Sequence, residues 1–249
     1  MKSLIKKLVA RLLAPMGYAV ISTRAPDLEK EFIRIQRRIA PFTMTSTERQ
    51  YALFKAIEYV EKAGIDGDIV ECGVWKGGSS MLAALSLLES DSKNRGLWLY
   101  DTFAGMSEPT EHDVNLHGNP SKEKWRAMNK DGMNGWDYAS LEEVRKNVHS
   151  TGYPKDKVRF IKGKVEETIP RDMPKKIALL RLDTDWYEST KHELEHLFPL
   201  LAKGGVLIID DYGHWRGARK AVDEYIERNN VKMLLDRIDY TGRIGVKAS

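Results

Sequence analysis

Apolar residues at the start of the chain recur at helical spacing: Leu4, Ile5, Leu8, Val9, Leu12 and Leu13, with Lys6, Lys7 and Arg11 opposite. This pattern predicts an amphipathic basic helix ending near Pro15 and Gly17. Charges interrupt each apolar run before it reaches the length of a signal-peptide core, and no run is long enough to span a bilayer. Residues 18–42 read as a connecting arm with a helical middle, bounded by Pro26 and Pro41. Thr45 and Glu48 stand three apart, the spacing of a capping box. The helix they open runs through Tyr51, Leu53, Phe54, Ile57 and Val60 to Gly64.

Beyond Gly64, short apolar runs alternate with helical stretches. Strands are predicted over 68–72, 97–101, 158–162, 177–183 and 205–210, and helices over 79–89, 141–149, 190–201 and 218–229. Residues 231–235 and 243–247 read as two closing strands joined through Thr241 and Gly242. Near-continuous apolar strands separated by helices imply a parallel sheet covered on both faces. The expected fold is α/β, a doubly wound sheet that is mostly parallel, with one antiparallel strand near the C-terminus and helices ahead of it. The expected organisation is a leader and arm over 1–40 and one main domain over 41–249. Between the second and third strands lie about 55 residues, far more than a usual connection. Within them, 105–138 is polar and carries Trp125 and Trp136. The expectation is an ordered lid over the carboxyl edge of the sheet, with a disordered surface insertion as the alternative.

Charge sharpens this division. The 249 residues carry 40 basic and 36 acidic side chains, a formal +4. Residues 1–40 hold nine Lys/Arg against three Asp/Glu, or +6, which leaves −2 for the rest. The basicity therefore belongs to the leader, and a mildly acidic body argues against a nucleic-acid partner. The leader helix either packs on protein, or makes weak peripheral contact with an anionic membrane surface through residues 1–14. Cys72 is the single cysteine, which excludes an internal disulfide and suits a reducing, cytoplasmic location.

Two clusters carry chemistry. The first strand runs into Glu71-Cys72-Gly73-Val74-Trp75-Lys76-Gly77-Gly78-Ser79. Glycines at a strand–helix turn let the backbone approach a ligand closely, with helix amides aimed at an anion. The interval is Gly73-x-x-x-Gly77, not the G-x-G-x-x-G of dinucleotide folds. It resembles motif I of class I, Rossmann-like methyltransferases that use S-adenosylmethionine. Asp101, ending the second strand, stands where such proteins hold both ribose hydroxyls, and a carboxylate can accept both hydrogen bonds.

The second cluster is acidic: Asp183 and Asp185 after the fourth strand, and Asp210 and Asp211 after the fifth. Parallel strands end on one edge, so four carboxylates converge there without an evident counter-charge. A hard divalent cation with oxygen ligands, Mg²⁺ above all, answers that repulsion. Helix N-capping by some of the four is the alternative. Strand alternation places Asp183 and Asp185 on one side, with Thr184 opposed. His192 and His196 lie one helical turn apart without a third ligand, so they make no zinc site.

The runs Arg181-Leu-Asp-Thr-Asp-Trp-Tyr-Glu-Ser-Thr190 and Gly204-Gly-Val-Leu-Ile-Ile-Asp-Asp-Tyr-Gly-His214 resemble the macrocin O-methyltransferase family. So do Thr43-Met-Thr-Ser46, Asp101-Thr-Phe-Ala-Gly-Met106, Gly152-Tyr-Pro154 and Gly163-Lys-Val-Glu-Glu-Thr-Ile-Pro170. The likeness covers roughly 40–247. It implies an S-adenosylmethionine- and Mg²⁺-dependent O-methyltransferase that acts on a sugar or glycosylated small molecule and forms a homodimer. By position it assigns Asp183, Asp210 and Asp211 to the metal and Asp185 to the general base, with His214 as a reserve. It assigns Met44, Thr45, Ser46, Glu71, Gly73, Gly77, Ser79, Asp101, Ser107, Gly163, Val165 and Asp183 to the cofactor. Between Asp113 and Tyr138 no family pattern aligns, so the acceptor stays open. An NAD-dependent oxidoreductase shares the strand–glycine–helix opening, but neither the glycine spacing nor the acidic edge. A non-catalytic cofactor-binding module has no need of four gathered carboxylates.

Overall fold

Each predicted apolar run from 68 to 210 becomes a strand of a single seven-stranded sheet in the computed structural model, which describes residues 15, 27–130 and 133–248. A first helix, α1 (Lys30–Ile39), and a 3₁₀ turn at Ala40–Phe42 lead into α2 (Thr47–Lys62). The expected leader helix over 1–14 lies outside the described residues. One compact unit begins at Arg34 and holds the whole sheet. Then follow β1 (Asp68–Cys72), α3 (Gly78–Glu89) and β2 (Leu97–Asp101). The insertion contributes α4 (Lys122–Met128) and a two-residue hairpin, β3 (Asn129–Lys130) with β4 (Met133–Asn134). The chain continues through α5 (Leu141–His149), β5 (Val158–Lys162), α6 (Val165–Thr168), β6 (Ile177–Leu182) and α7 (Tyr187–Leu197). It ends with β7 (Leu201–Ile209), α8 (Arg216–Arg228), β8 (Asp236–Arg237) and β9 (Arg243–Val246).

The strand order is β5-β2-β1-β6-β7-β9-β8. β5, β2, β1, β6 and β7 run parallel, and β9 alone opposes them, pairing antiparallel with both β7 and β8. Alternation along each strand feeds two helical layers. Val70, Cys72, Leu180, Leu182, Leu207 and Ile209 share a core with Leu194 and Leu197 of α7 and Val222 and Tyr225 of α8. Residues of the opposite parity face the other layer, where Glu71 meets Ser80 of α3. Both faces are thus covered, as the unbroken apolar strands required.

Two local expectations are corrected. The N-cap of α2 is Ser46, whose Oγ accepts from Arg49 N, and not the Thr45 of the expected capping box. Residues 231–235 form no strand: Val231, Met233 and Leu235 alternate because they pack onto the core cluster, while pairing with β9 falls to Asp236 and Arg237. The same apolar alternation serves either purpose.

Candidate active site

Register decides what meets at the sheet edge. Cys72 lies beside Tyr100 and Leu182, and Leu182 beside Ile209. The residues that follow, Gly73, Asp101, Asp183 and Asp210, therefore stand in one row. From β1 the chain winds outward to β2 and β5, then returns to β6 on the other flank, so this row lies at a topological switch point.

The glycine turn is shaped by contact. A Cβ on Gly73, whose φ is +83°, would lie 1.9 Å from the Asp183 carbonyl oxygen, so no side chain fits there. Gly77, at φ +88°, is the N-cap of α3. Asp101 Oδ2 accepts from Val74 N at 2.7 Å and Trp75 N at 3.1 Å, and its Oδ1 accepts from Phe103 N at 2.7 Å. That carboxylate both faces the cavity and holds the turn in shape. Burial raises its pKa against the pull of those backbone donors.

The acidic edge is partly compensated, where the sequence suggested four carboxylates without an evident counter-charge. Arg181, buried in β6, donates from Nη1 to Glu71 Oε1 at 2.8 Å and Asp183 Oδ2 at 2.7 Å, and from Nη2 to Asp210 Oδ1 at 2.5 Å. Arg49 of α2 donates from Nη1 to Asp210 Oδ2 and from Nε to Asp239 Oδ2 at 3.1 Å. Two guanidinium groups thus stand among Glu71, Asp183, Asp185, Asp210 and Asp211. Neither was singled out from sequence. The available signal was an arginine inside the apolar run of β6, since a charge buried there must find partners.

Negative charge still exceeds positive. Carboxylate oxygens of Asp183, Asp185 and Asp211 lie within 4.8 Å of one another, and Asp211 Oδ2 is buried without a hydrogen-bond partner. Burial first, then neighbouring carboxylates, pushes the Asp185 carboxyl up to about 8 and raises Asp211 well above its ordinary value. Converging oxygen donors with one orphaned lone-pair site fit a hard divalent cation. None of the four aspartates caps a helix: the N-caps of α7 and α8 are Trp186 and Trp215, with no side-chain cap bond. β6 ends at Leu182, so strand alternation does not bring Asp183 and Asp185 together. A turn does. Asp185 adopts φ +69°, Trp186 N donates to Thr184 O at 2.8 Å, and Thr184 Oγ1 turns away to Glu193 Oε1 at 2.9 Å.

A cavity of about 450 Å³ joins both clusters. Met44, Thr45, Glu71, Gly73, Ser79, Asp101, Ser107, Gly163, Val165, Asp183, Asp185, Asp210 and Asp211 line it. Ser46 and Gly77 stand behind the wall: Ser46 Oγ donates to Asp239 Oδ2 at 2.7 Å, and Gly77 shapes the turn. His214 is at the cavity, its pKa lowered by burial, with Nδ1 3.3 Å from the Tyr240 hydroxyl. His192 and His196 are engaged elsewhere, with Ile169 O and His192 O, each at 2.9 Å.

The insertion closes the far wall. Trp136 packs against Trp186 and Trp215 with ring centroids 5.6 and 6.0 Å apart, and Trp186 meets Trp215 at 5.0 Å. Trp186 Nε1 donates to Ser107 O at 2.9 Å and Trp125 Nε1 to Met106 O at 2.8 Å. Buried Asp113 accepts from Thr110 N and Tyr187 N, both at 2.7 Å, fastening the insertion to the start of α7. Lys124 Nζ lies 3.7 Å from the Trp136 ring centroid, and Trp136, Trp215, Lys124 and Asp137 all line the cavity. The described part of 105–138 is therefore folded onto the carboxyl edge, not a loose surface excursion.

The chain as a whole resembles known proteins. The macrocin O-methyltransferase (TylF) family profile matches residues 3–244. The chain belongs to that family. It is an O-methyltransferase with the fold of the S-adenosylmethionine-dependent enzymes. One relative, the 8-demethyl-8-(2,3-dimethoxy-alpha-L-rhamnosyl)-tetracenomycin-C 4'-O-methyltransferase of Streptomyces olivaceus, is 35% identical over 242 residues, covering 96% of this chain and 89% of its own. Another, the mycinamicin III 3''-O-methyltransferase of Micromonospora griseorubida, is 32% identical over 201 residues, covering 80% and 76%. The solved structure of the O-methyltransferase NovP matches with a TM-score of 0.73 and 29% identity, covering 100% of both chains.

Proposed function

We propose that this macrocin O-methyltransferase family member methylates a hydroxyl of a sugar, free or carried on a glycosylated natural product, with Mg²⁺ at the acidic edge. The observation that carries this reading is that the glycine turn, the carboxylate cluster and the tryptophan wall line one and the same cavity. The names of the relatives, one a rhamnosyl-tetracenomycin and one a mycinamicin methyltransferase, support a glycosylated acceptor.

Residues 43–45, the Gly73 turn, Asp101 and residues 163–165 would hold S-adenosylmethionine. Asp183, Asp210 and Asp211 would hold Mg²⁺. When bound, the two groups supply an electrophilic methyl and Lewis acidity towards hydroxyl oxygens. The chain does the rest. Asp185, held in its left-handed turn, accepts the hydroxyl proton at a carboxylate oxygen. Trp136 and Trp215 offer apolar faces to the sugar's C–H surface and exclude water, while Lys124 and Asp137 offer a donor and an acceptor to its other hydroxyls. Fixing the acceptor oxygen beside the methyl removes much of the orientational cost of a two-substrate reaction.

The direct test is a screen of rhamnosylated and other glycosylated acceptors with S-adenosylmethionine, read by mass spectrometry. The reading expects one methyl added to the sugar portion. Methylation of the aglycone alone, or of no sugar in the panel, would reject it.

A further inference from the structure

Among the described residues, Asp210 is the acidic-edge carboxylate with both oxygens taken by guanidinium groups: Oδ1 by Arg181 and Oδ2 by Arg49. The oxygens that converge within 4.8 Å of one another belong to Asp183, Asp185 and Asp211, and Asp210 is not in that group. An oxygen facing a guanidinium cannot turn the same face to a hard cation, and two positive charges a few ångströms apart repel strongly in a buried site. Each Asp210 oxygen keeps a second lone pair, so a cation at Asp210 is disfavoured chiefly by the two nearby guanidinium charges and is favoured when one arginine lets go.

The two arginines differ in their freedom to do so. The Arg181 side chain is 4% exposed and also holds Glu71 and Asp183, so its departure would take an ion pair from buried Glu71, from buried Asp210 and from half-buried Asp183. The Arg49 side chain is 15% exposed, lines the cavity, and has a second carboxylate, Asp239, already in contact. Asp239 is fixed for that purpose: its Oδ2 accepts from Ser46 Oγ at 2.7 Å, and its Oδ1 from Thr241 N at 2.9 Å and Gly242 N at 2.7 Å. The guanidinium can therefore shift onto Asp239 without losing all charge compensation.

We propose that Arg49 is a displaceable counter-ion: its guanidinium and a divalent cation compete for Asp210 Oδ2, and Asp239 receives the guanidinium when the cation binds. This rests on the metal reading above. Arg49 is a positioning residue, set on the helix that follows the 43–45 wall, so the contact also joins the two halves of the site.

Mn²⁺, titrated into the full-length protein and followed by electron paramagnetic resonance, separates this role from a structural one. Arg49→Gln should bind Mn²⁺ about tenfold tighter or more, the scale of one charged contact removed from a competitor. Asp239→Asn, which keeps Arg49 but weakens its refuge, should bind Mn²⁺ more weakly than wild type. An arginine that merely braces the site gives the opposite sign for Arg49→Gln. Unchanged or weaker binding in Arg49→Gln, with wild-type binding abolished by Asp211→Asn, overturns the counter-ion role and leaves the metal reading intact. Wild type that binds no Mn²⁺ overturns both.

Discussion

Arg181 fixes the site at the scale of single residues. One guanidinium reaches Glu71 on β1, Asp183 after β6 and Asp210 after β7, so three segments share one charge. Asp185 lies outside that clamp, in a left-handed turn beside Asp211, with the lone pairs a proton acceptor needs. Asp185→Asn should cut turnover by at least about a thousandfold while S-adenosylhomocysteine still binds in a calorimetric titration. Near-normal turnover would remove Asp185 from the base role. Gly73 is equally exacting: Gly73→Ala drives a methyl into the Asp183 carbonyl and should cost about 3 kcal/mol or more, seen as a lowered Tm and lost cofactor binding. Glu193 gives a pH test. It is fully buried beneath Thr184, one oxygen lacks a partner, and burial raises its carboxyl well above the ordinary value. A raised carboxyl pKa means the folded state favours the protonated form. That preference costs nothing below the unfolded pKa of about 4.3, and it erodes stability as pH rises from there towards the folded value. Glu193→Gln should therefore melt higher than wild type at pH 8, with the gap closing towards pH 5. An equal gap at both pH values would place the stability effect elsewhere.

At the scale of elements, the strands were legible because parallel, doubly covered strands must be apolar along their length and change character where they reach the ligand edge. Asp101, Asp183, Asp210 and Asp211 all mark that change, so the candidate site could be placed from sequence. Arg49 and Arg181 could not, since nothing local says which buried carboxylate a guanidinium will meet. Val231, Met233 and Leu235 misled for a related reason: alternation records one buried face, whether or not a neighbouring strand supplies hydrogen bonds. The insertion was legible only as a long polar segment with tryptophans. Its fold depends on Trp136 finding Trp186 and Trp215, and on Asp113 finding Tyr187 N, all remote in sequence. Trp136→Ala should raise the KM for a sugar acceptor about tenfold or more, with the Kd for S-adenosylmethionine changed by less than about twofold. Equal losses for both ligands would mean that the tryptophan wall supports the whole cavity and not the acceptor side.

Across the whole molecule, +4 conceals two parts of opposite sign: a basic leader at 1–40 and a body at −2. No helix among the described residues is long and apolar enough to cross a membrane. At one edge of the sheet the body gathers Asp183, Asp185, Asp210 and Asp211 and sets two arginines among them, while carboxylate oxygens of Asp183, Asp185 and Asp211 converge. In the proposed function, a divalent cation joins the two arginines in making this gathering of carboxylates favourable. The measurement that tests this most directly is transfer of labelled methyl from S-adenosylmethionine to a glycosylated acceptor, before and after EDTA treatment and with Mg²⁺ restored. Activity lost in EDTA, recovered with Mg²⁺, and not recovered in Asp211→Asn is the predicted result. Full activity in EDTA would contradict the account.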